Sequence, residues 1–462
     1  MLSISDVQFS QAILQLGELV SFPSISNVED SEYKFKNLLK AADWVTNRLQ
    51  ELNFNVVSQR IGNSAPFILA EKVTDATRPT LLLYSHYDVQ PVERSRWNSD
   101  PFIMIEKNGR LYGRGASDDK AGIVAILSAL NVYKEASIDL PVNIKILFEG
   151  EEEYGSTHMG ALLEQCAKNL NAQALVILDC VNLDVNTGTL TNSTRGCVNL
   201  KVKVKAYEKP VHSGMACIGP DPSMALATLL ASLKDPKMVP GITEDMATMN
   251  QEEREILQKC SQSIEAYSKQ VGLLPQVGMK ALRGNSSLSI SERIIEEPSI
   301  SILNMTSGRP NGGNSIQEEA SCEIGIRVLP GQDPDRIASN IRDYLNRQSE
   351  NLGLPVEIVQ PEGGAWAWKG DVSMPFAKKY FESMASHFSK IAAKPTGGTL
   401  PLLRQFQAKF PAMEMICVGV EDPETSAHSH NESQHVLLFR NVVNTLITFF
   451  EKAGYIKTPE TV

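Results

Sequence analysis

The sequence predicts an α/β fold: a three-layer α/β/α domain with a mostly parallel sheet, split in sequence by an inserted α+β domain. Three observations predict it. Short apolar runs alternate with helical patterns up to about residue 193. Strictly alternating strands replace them in the middle of the chain. The buried pattern then returns near the C-terminus.

In the first part, Tyr33–Leu52 carries apolar residues at helical spacing, after a loop at Ser21-Phe-Pro-Ser. The runs Pro66–Ala70, Thr80–Tyr84, Ile144–Phe148 and Ala174–Leu178 have the length and composition of strands buried on both faces. A helix over Ala121–Tyr133 lies between them. Strands that alternate with helices imply a sandwich around a largely parallel sheet.

Val198–Ala206 and Cys322–Leu329 instead alternate apolar and polar residues, as strands with one wet face do. Helical patterns over 223–233 and Asp333–Glu350, a further strand at Val356–Val359 and a long polar, partly helical stretch over 237–295 complete this part. The chain returns near Gly363-Gly364-Ala365-Trp366, followed by a helix at 375–388, a strand at Met413–Val420 and a final helix at 437–452. The expected division is a catalytic domain made of residues 1–193 and 366–462, with residues 194–365 inserted as a second domain.

Composition narrows the class. The chain has 462 residues, a formal charge of −10 and no basic run, which argues against nucleic acid as a partner. No apolar stretch is long enough for a membrane span, and the N-terminus lacks the pattern of a signal peptide. The seven Cys form no Cys-x-x-Cys pair and are odd in number, which favours free thiols in a reducing, cytoplasmic setting.

Five segments carry chemistry. His86 and Asp88 follow an apolar strand, and residues two apart in extended chain point the same way. Asp118 and Asp119 follow the Gly113-Arg-Gly turn and open a helix; N-capping explains one of them. Phe148-Glu-Gly-Glu-Glu-Glu places four carboxylates in five positions at a strand end, where cations would relieve their repulsion. Asp179 ends another strand, and Ser426-Ala-His-Ser-His-Asn-Glu follows the last one. Ligands bind at the carboxyl ends of strands in open α/β sheets. Mixed His and carboxylate donors suit zinc, and the surplus of carboxylates favours two ions sharing a bridge.

With these motifs in this order, the chain resembles the dinuclear zinc peptidase family of carnosinases, carboxypeptidase G2, acetylornithine deacetylase and succinyl-diaminopimelate desuccinylase, from Ser21-Phe-Pro-Ser to the final helix. The resemblance implies two divalent ions, Zn2+ with Mn2+ or Co2+ as alternatives. It implies His86 as ligand of one ion, Asp118 as the bridge, Glu153 and Asp179 completing the two shells, and His428 on the second ion. Asp88 would orient His86, and Glu152 would act as general base toward a metal-bridging hydroxide; Gly155-Ser156 fixes that register within the Glu run. A cis peptide between Asp118 and Asp119 belongs to the same expectation.

For the inserted domain, residues 194–365, the resemblance implies a lid that also serves as the dimerisation domain, with His212, in Val211-His-Ser-Gly, reaching the active site of a partner subunit, making the protein a homodimer. Asn314 and Arg327 would bind substrate, as would Gly398 and Thr399 in Thr396-Gly-Gly-Thr-Leu-Pro. The chain departs from the family at Lys394-Pro395-Thr396, where an Arg is common, and at Ile316-Gln317, where the dipeptidases often have Ile-Pro. His430 is an extra His, read either as structural or as a support behind the metal ligands.

The expected reaction is hydrolysis of an amide bond in a small substrate, a dipeptide or short peptide. Asp118-Asp119-Lys120, Arg96-Trp97-Asn98 and the long lid favour the dipeptidase branch. The alternative is an N-acyl amino acid deacylase, which Asn314 and Ser307-Gly308-Arg309-Pro310 leave open. A metal-binding protein without catalysis is opposed by Glu152, and a dinucleotide enzyme by the absence of the full G-x-G-x-x-G spacing.

Overall fold

The computed structural model describes residues 2–26, 31–278, 281–309 and 313–457. The chain forms two compact units. The first comprises residues 1–192, 370–394 and 405–462, and the second residues 193–369 and 395–404.

The main sheet has nine strands among the described residues; seven follow the order Asn55–Gln59, Phe67–Lys72, Asn143–Glu149, Thr80–His86, Ala174–Ile177, Glu414–Cys417, Thr187–Thr194, and the short strands Trp368–Lys369 and Lys390–Pro395 both pair with the last of them. The four at the centre run parallel, and the flanking strands pair antiparallel to them. Ala174–Ile177 and nearly all of Thr80–His86 are buried on successive residues, so both faces of the sheet are covered.

The helices Asp6–Val20, Lys120–Glu135, Val436–Ala453 and Pro375–Met384 pack on one another. Their seams include Phe9 against Phe439, with ring centroids 5.6 Å apart, and Tyr380 against Phe449 at 4.9 Å. Helix Lys120–Glu135 is buried on almost every residue up to Tyr133, so it reads apolar all round rather than amphipathic. The helices Ser31–Glu51 and Met159–Leu170 lie against the other strands of the sheet. Helix Asp6–Val20 begins at a reciprocal cap: the Ser5 hydroxyl accepts the Gln8 N–H, and the Gln8 side chain accepts the Ser5 N–H.

A small antiparallel sheet of Ile105–Lys107, Arg110–Tyr112 and Ser433–His435 joins two distant parts of this unit. It brings the Gly113-Arg114-Gly115 turn beside the segment that carries His428.

The second unit is a four-stranded antiparallel sheet in the order Ser299–Ser307, Glu319–Val328, Gly196–Lys205, Val356–Val359. Burial alternates along Gly196–Lys205 and Glu319–Val328. Leu200, Val202, Ile324 and Ile326 form one core with Leu226 and Leu229 of helix Pro222–Ser232 and with Ile337 and Ile341 of helix Pro334–Glu350. The long polar stretch contains helices Gln251–Cys260, Ile264–Gln270 and Ile290–Glu296. A two-residue pairing sets Val211 and His212 against Ile316 and Ser315.

Among the described residues, no helix is long and apolar enough to cross a membrane.

Candidate metal centre and active site

Five chain segments of the first unit converge at the carboxyl ends of its parallel strands. His86 is the last residue of Thr80–His86, and Asp179 lies two residues beyond Ala174–Ile177. Glu152 and Glu153 form a short turn three residues past Asn143–Glu149. Asp118 stands just before helix Lys120–Glu135, joined to Asp119 by a cis peptide. The loop after Glu414–Cys417 supplies His428, whose φ of 59° holds it in the left-handed region. A non-glycine residue in that region is strained, and such strain gathers at functional sites.

The side chains form two triads that share Asp118. His86, Asp118 and Asp179 make one; Asp118, Glu153 and His428 make the other. Within each, the potential ligand atoms lie within 4.8 Å of one another. His86 Nε2 is 3.2 Å from one Asp118 oxygen, and His428 Nε2 is 3.1 Å from the other. The Glu153 carboxylate is 3.0 Å from His428 Nε2, and Asp179 is 3.9 Å from His86 Nε2. A carboxylate with one oxygen facing each triad is the arrangement that bridges two cations.

Behind these groups, polar contacts fix their orientation. His86 Nδ1 lies 3.1 Å from the Asp88 carbonyl oxygen and 3.4 Å from its carboxylate. The same carboxylate accepts the backbone N–H groups of Glu152 and Glu153 at 3.3 and 3.1 Å. Asp88 thus ties the imidazole to the acidic turn. The Gln90 side chain donates to Glu153 at 2.8 Å.

Whether these residues fit a cation is answered by His86 Nε2. The atom is buried and makes no aligned hydrogen bond, yet carboxylates of Asp118, Asp179 and Glu152 stand 3.2, 3.9 and 4.0 Å away. A buried imidazole nitrogen aimed into a ring of acids is where a ligand of a cation would stand.

The electrostatics agree. Burial, then the charge of Asp179, pushes the Glu152 carboxyl well above its ordinary value. Burial also raises Asp179. Asp118 goes the other way: burial opposes ionisation, but His428 and His86 hold it below the usual carboxylate range. His428 is pushed up to about 11 by Asp118 and Glu153. The cluster lacks positive charge, so its imidazoles are drawn to supply it; bound cations would reverse that demand.

The residues expected to bind substrate, and His212, lie in the second unit, in two groups. His212 is exposed and sits beside Asn314, whose carbonyl accepts the Ser213 N–H at 2.9 Å. Arg327 donates to the Thr399 hydroxyl at 3.2 Å, and the Gly398 carbonyl accepts the Arg195 N–H at 2.9 Å. Residues 395–404 therefore fold with the second unit. Of Ser307–Pro310, Pro310 lies outside the described residues. His430 lies next to Ser429, its Nδ1 3.4 Å from the hydroxyl.

Glu432 ends the Ser426-Ala-His-Ser-His-Asn-Glu motif but received no role from the sequence. It is fully buried and accepts the N–H groups of Gly115, Ser117 and Asp118, each at 3.0 Å, and the Arg114 guanidinium at 2.7 Å. Its place in Asn431-Glu432, four residues past His428, was the only available signal.

The comparisons with known proteins follow the same lines. A family model described as "Peptidase family M20/M25/M40" matches residues 82–452. The chain is 29% identical to a cysteinylglycine-S-conjugate dipeptidase of Corynebacterium striatum, across 91% of this chain and 90% of that protein. It is 28% identical to a Beta-Ala-His dipeptidase of Rattus norvegicus, across 86% and 83%. Its fold matches an M20 family metallo-carboxypeptidase, Sso-CP2 of Sulfolobus solfataricus, with a TM-score of 0.80 at 24% identity, covering 96% of this chain and all of that one. A match over most of the chain, containing all five segments of the metal centre, makes this protein a member of peptidase family M20/M25/M40 and a metal-dependent amide hydrolase.

Proposed function

We propose that this protein is a dipeptidase that hydrolyses the peptide bond of short substrates at a centre of two divalent ions, Zn2+ in the first place with Mn2+ or Co2+ as alternatives. The observation that carries the reading is the pair of triads sharing Asp118. The dipeptidase activities of its relatives support the choice of substrate.

His86, Asp118 and Asp179 hold one ion, and Asp118, Glu153 and His428 the other. Cations bound there supply a water of lowered pKa and polarise the scissile carbonyl. Glu152, on the rim of the first triad, takes the proton of the attacking water and passes it to the leaving amine. Asp88 holds His86 and the Glu152–Glu153 backbone in one register.

The protein works as a homodimer in the cytoplasm. His212 from one subunit donates to the developing oxyanion in the other. Arg327 offers its fork to the substrate carboxylate, with Gly398 and Thr399 alongside and Asn314 near His212. The alternative is an N-acyl amino acid deacylase.

A substrate panel on metal-loaded enzyme separates these readings. Turnover of dipeptides with little turnover of N-acetyl or N-succinyl amino acids is expected. Faster turnover of the acyl amino acids would overturn the proposal.

A further inference from the structure

His428 stands apart from the other four ligand candidates. Its side chain is 60% exposed, against 10% or less for His86, Asp118, Glu153 and Asp179. Packing around the imidazole therefore does little to hold it, and its position depends on the loop that carries it. Ser426, His428 and Asn431 of that loop have φ of 58°, 59° and 59°. Non-glycine residues keep such a conformation where surrounding contacts over-determine it.

One buried side chain joins the two ends of the loop. The Arg110 guanidinium donates to both oxygens of Asp422, at 3.2 and 2.8 Å. It also donates to the Ser433 hydroxyl at 2.8 Å and to the Ser433 carbonyl at 3.1 Å. Arg110, Asp422 and Ser433 are all buried, and the last two bracket residues 423–432. Strand Arg110–Tyr112 brings the arginine there by pairing with Ser433–His435.

Asp422 passes this restraint along the chain. Its carboxylate accepts the Glu424 N–H at 2.9 Å, and its own N–H donates to the Thr425 hydroxyl at 3.0 Å. The Thr425 carbonyl accepts the Ser433 N–H at 2.9 Å, which closes the base of the loop three residues before His428. Arg114 holds the middle separately, donating to the Ser429 carbonyl at 2.9 Å. A planar guanidinium can meet a carboxylate at two points and a further acceptor beside it, whereas a lysine ammonium is a compact point charge.

We infer that Arg110 is a positioning residue for the second ion: by clamping Asp422 to Ser433 it fixes the loop that presents His428, and so sets the affinity of the Asp118–Glu153–His428 site. The first site, made by His86, Asp118 and Asp179, takes no ligand from this loop. The inference rests on the proposed ligation of an ion by His428.

The test titrates the apo-protein with buffered Zn2+ and counts bound ions per chain at each free concentration. Arg110→Lys should bind the first ion as the unaltered protein does and the second about 10–100-fold more weakly, the usual effect of losing a support behind a metal ligand. A role in stability alone would not single out one ion. Equal weakening of both steps, or an unchanged second step, overturns the inference. His428→Ala is the reference and should lose the second step. Two tight ions in His428→Ala would sink the ligand assignment itself. A second step lost in His428→Ala but intact in Arg110→Lys would overturn the role of Arg110 alone.

Arg110→Met combined with Asp422→Leu removes both buried charges and leaves neither unpaired. This pair takes the place of Arg110→Lys if that variant does not fold. A weakened second step in it supports the clamp, and an unchanged one, or equal loss of both ions, overturns it.

Discussion

The Glu432 carboxylate accepts the backbone N–H of Asp118 at 3.0 Å, so a buried acid holds the residue shared by both triads. Its two oxygens also take the N–H groups of Ser117 and Gly115 and the Arg114 guanidinium. Glu432→Gln keeps the shape but turns one acceptor into a donor that must face N–H groups. Outer groups of this kind tune metal sites by about 10–100-fold in affinity or activity. Metal titration of the apo-protein should show a loss of that order with the overall fold kept. Unchanged affinity would show that the Asp118 loop holds its place without Glu432.

Glu152 and the metal ligands should separate in a double measurement. Glu152→Gln removes the proton acceptor but leaves both triads complete. Turnover should fall by about 10²–10⁴-fold, the usual contribution of a general base, while metal content stays near two ions per chain. Asp118→Asn should lose metal and turnover together. Chelation of the unaltered protein should abolish turnover, and adding Zn2+, Mn2+ or Co2+ back should restore it. Substantial turnover by Glu152→Gln would assign proton transfer to another group.

How far the sequence revealed this arrangement depended on where the polar residues sat. His86, the acidic turn and Asp179 each follow an apolar strand, and both elements of that pattern are local. Glu432 acts through contacts more than 300 residues away in sequence, which no local period reports. The strand Thr187–Thr194 is buried throughout yet is built mostly of Thr, Ser and Asn, so it offers no apolar run. The strand Ser299–Ser307 has a register shift between Ile302 and Asn304, which breaks the alternation that would have exposed it. The return of residues 395–404 to the second unit rests on long-range backbone bonds such as Thr396 N–H to Ser193 carbonyl. The cis bond at Asp118–Asp119, by contrast, was expected from family resemblance and is present.

Arg327 tests the substrate end of the proposal. It already donates to the Thr399 hydroxyl at 3.2 Å, which leaves the rest of its fork for a carboxylate. Arg327→Lys keeps the charge but loses two-point geometry. KM for dipeptides should rise, on the order of tenfold, because charge-assisted bonds to a carboxylate are among the stronger ones. Peptides amidated at the C-terminus should show a much smaller difference between the two proteins. An equal effect on free and amidated peptides would place the role of Arg327 in structure rather than recognition.

Gly419 tests the scaffold behind Asp179. A Cβ at this position would lie 1.7 Å from the Cys180 carbonyl oxygen and 2.3 Å from the Cys180 nitrogen. Both are backbone atoms of the residue that follows Asp179, so neither can swing aside. The Gly419 carbonyl also accepts the Asn182 side chain at 2.8 Å, which binds the two strand ends together. Gly419→Ala must therefore push the segment after Ala174–Ile177 away from the one after Glu414–Cys417. Overpacking of this kind costs about 1–3 kcal/mol, and the displaced segment carries Asp179 of the first triad. Denaturant unfolding should show that loss, and metal content should fall below two ions per chain. Wild-type stability and metal content in the variant would mean that these strand ends yield more readily than their packing implies.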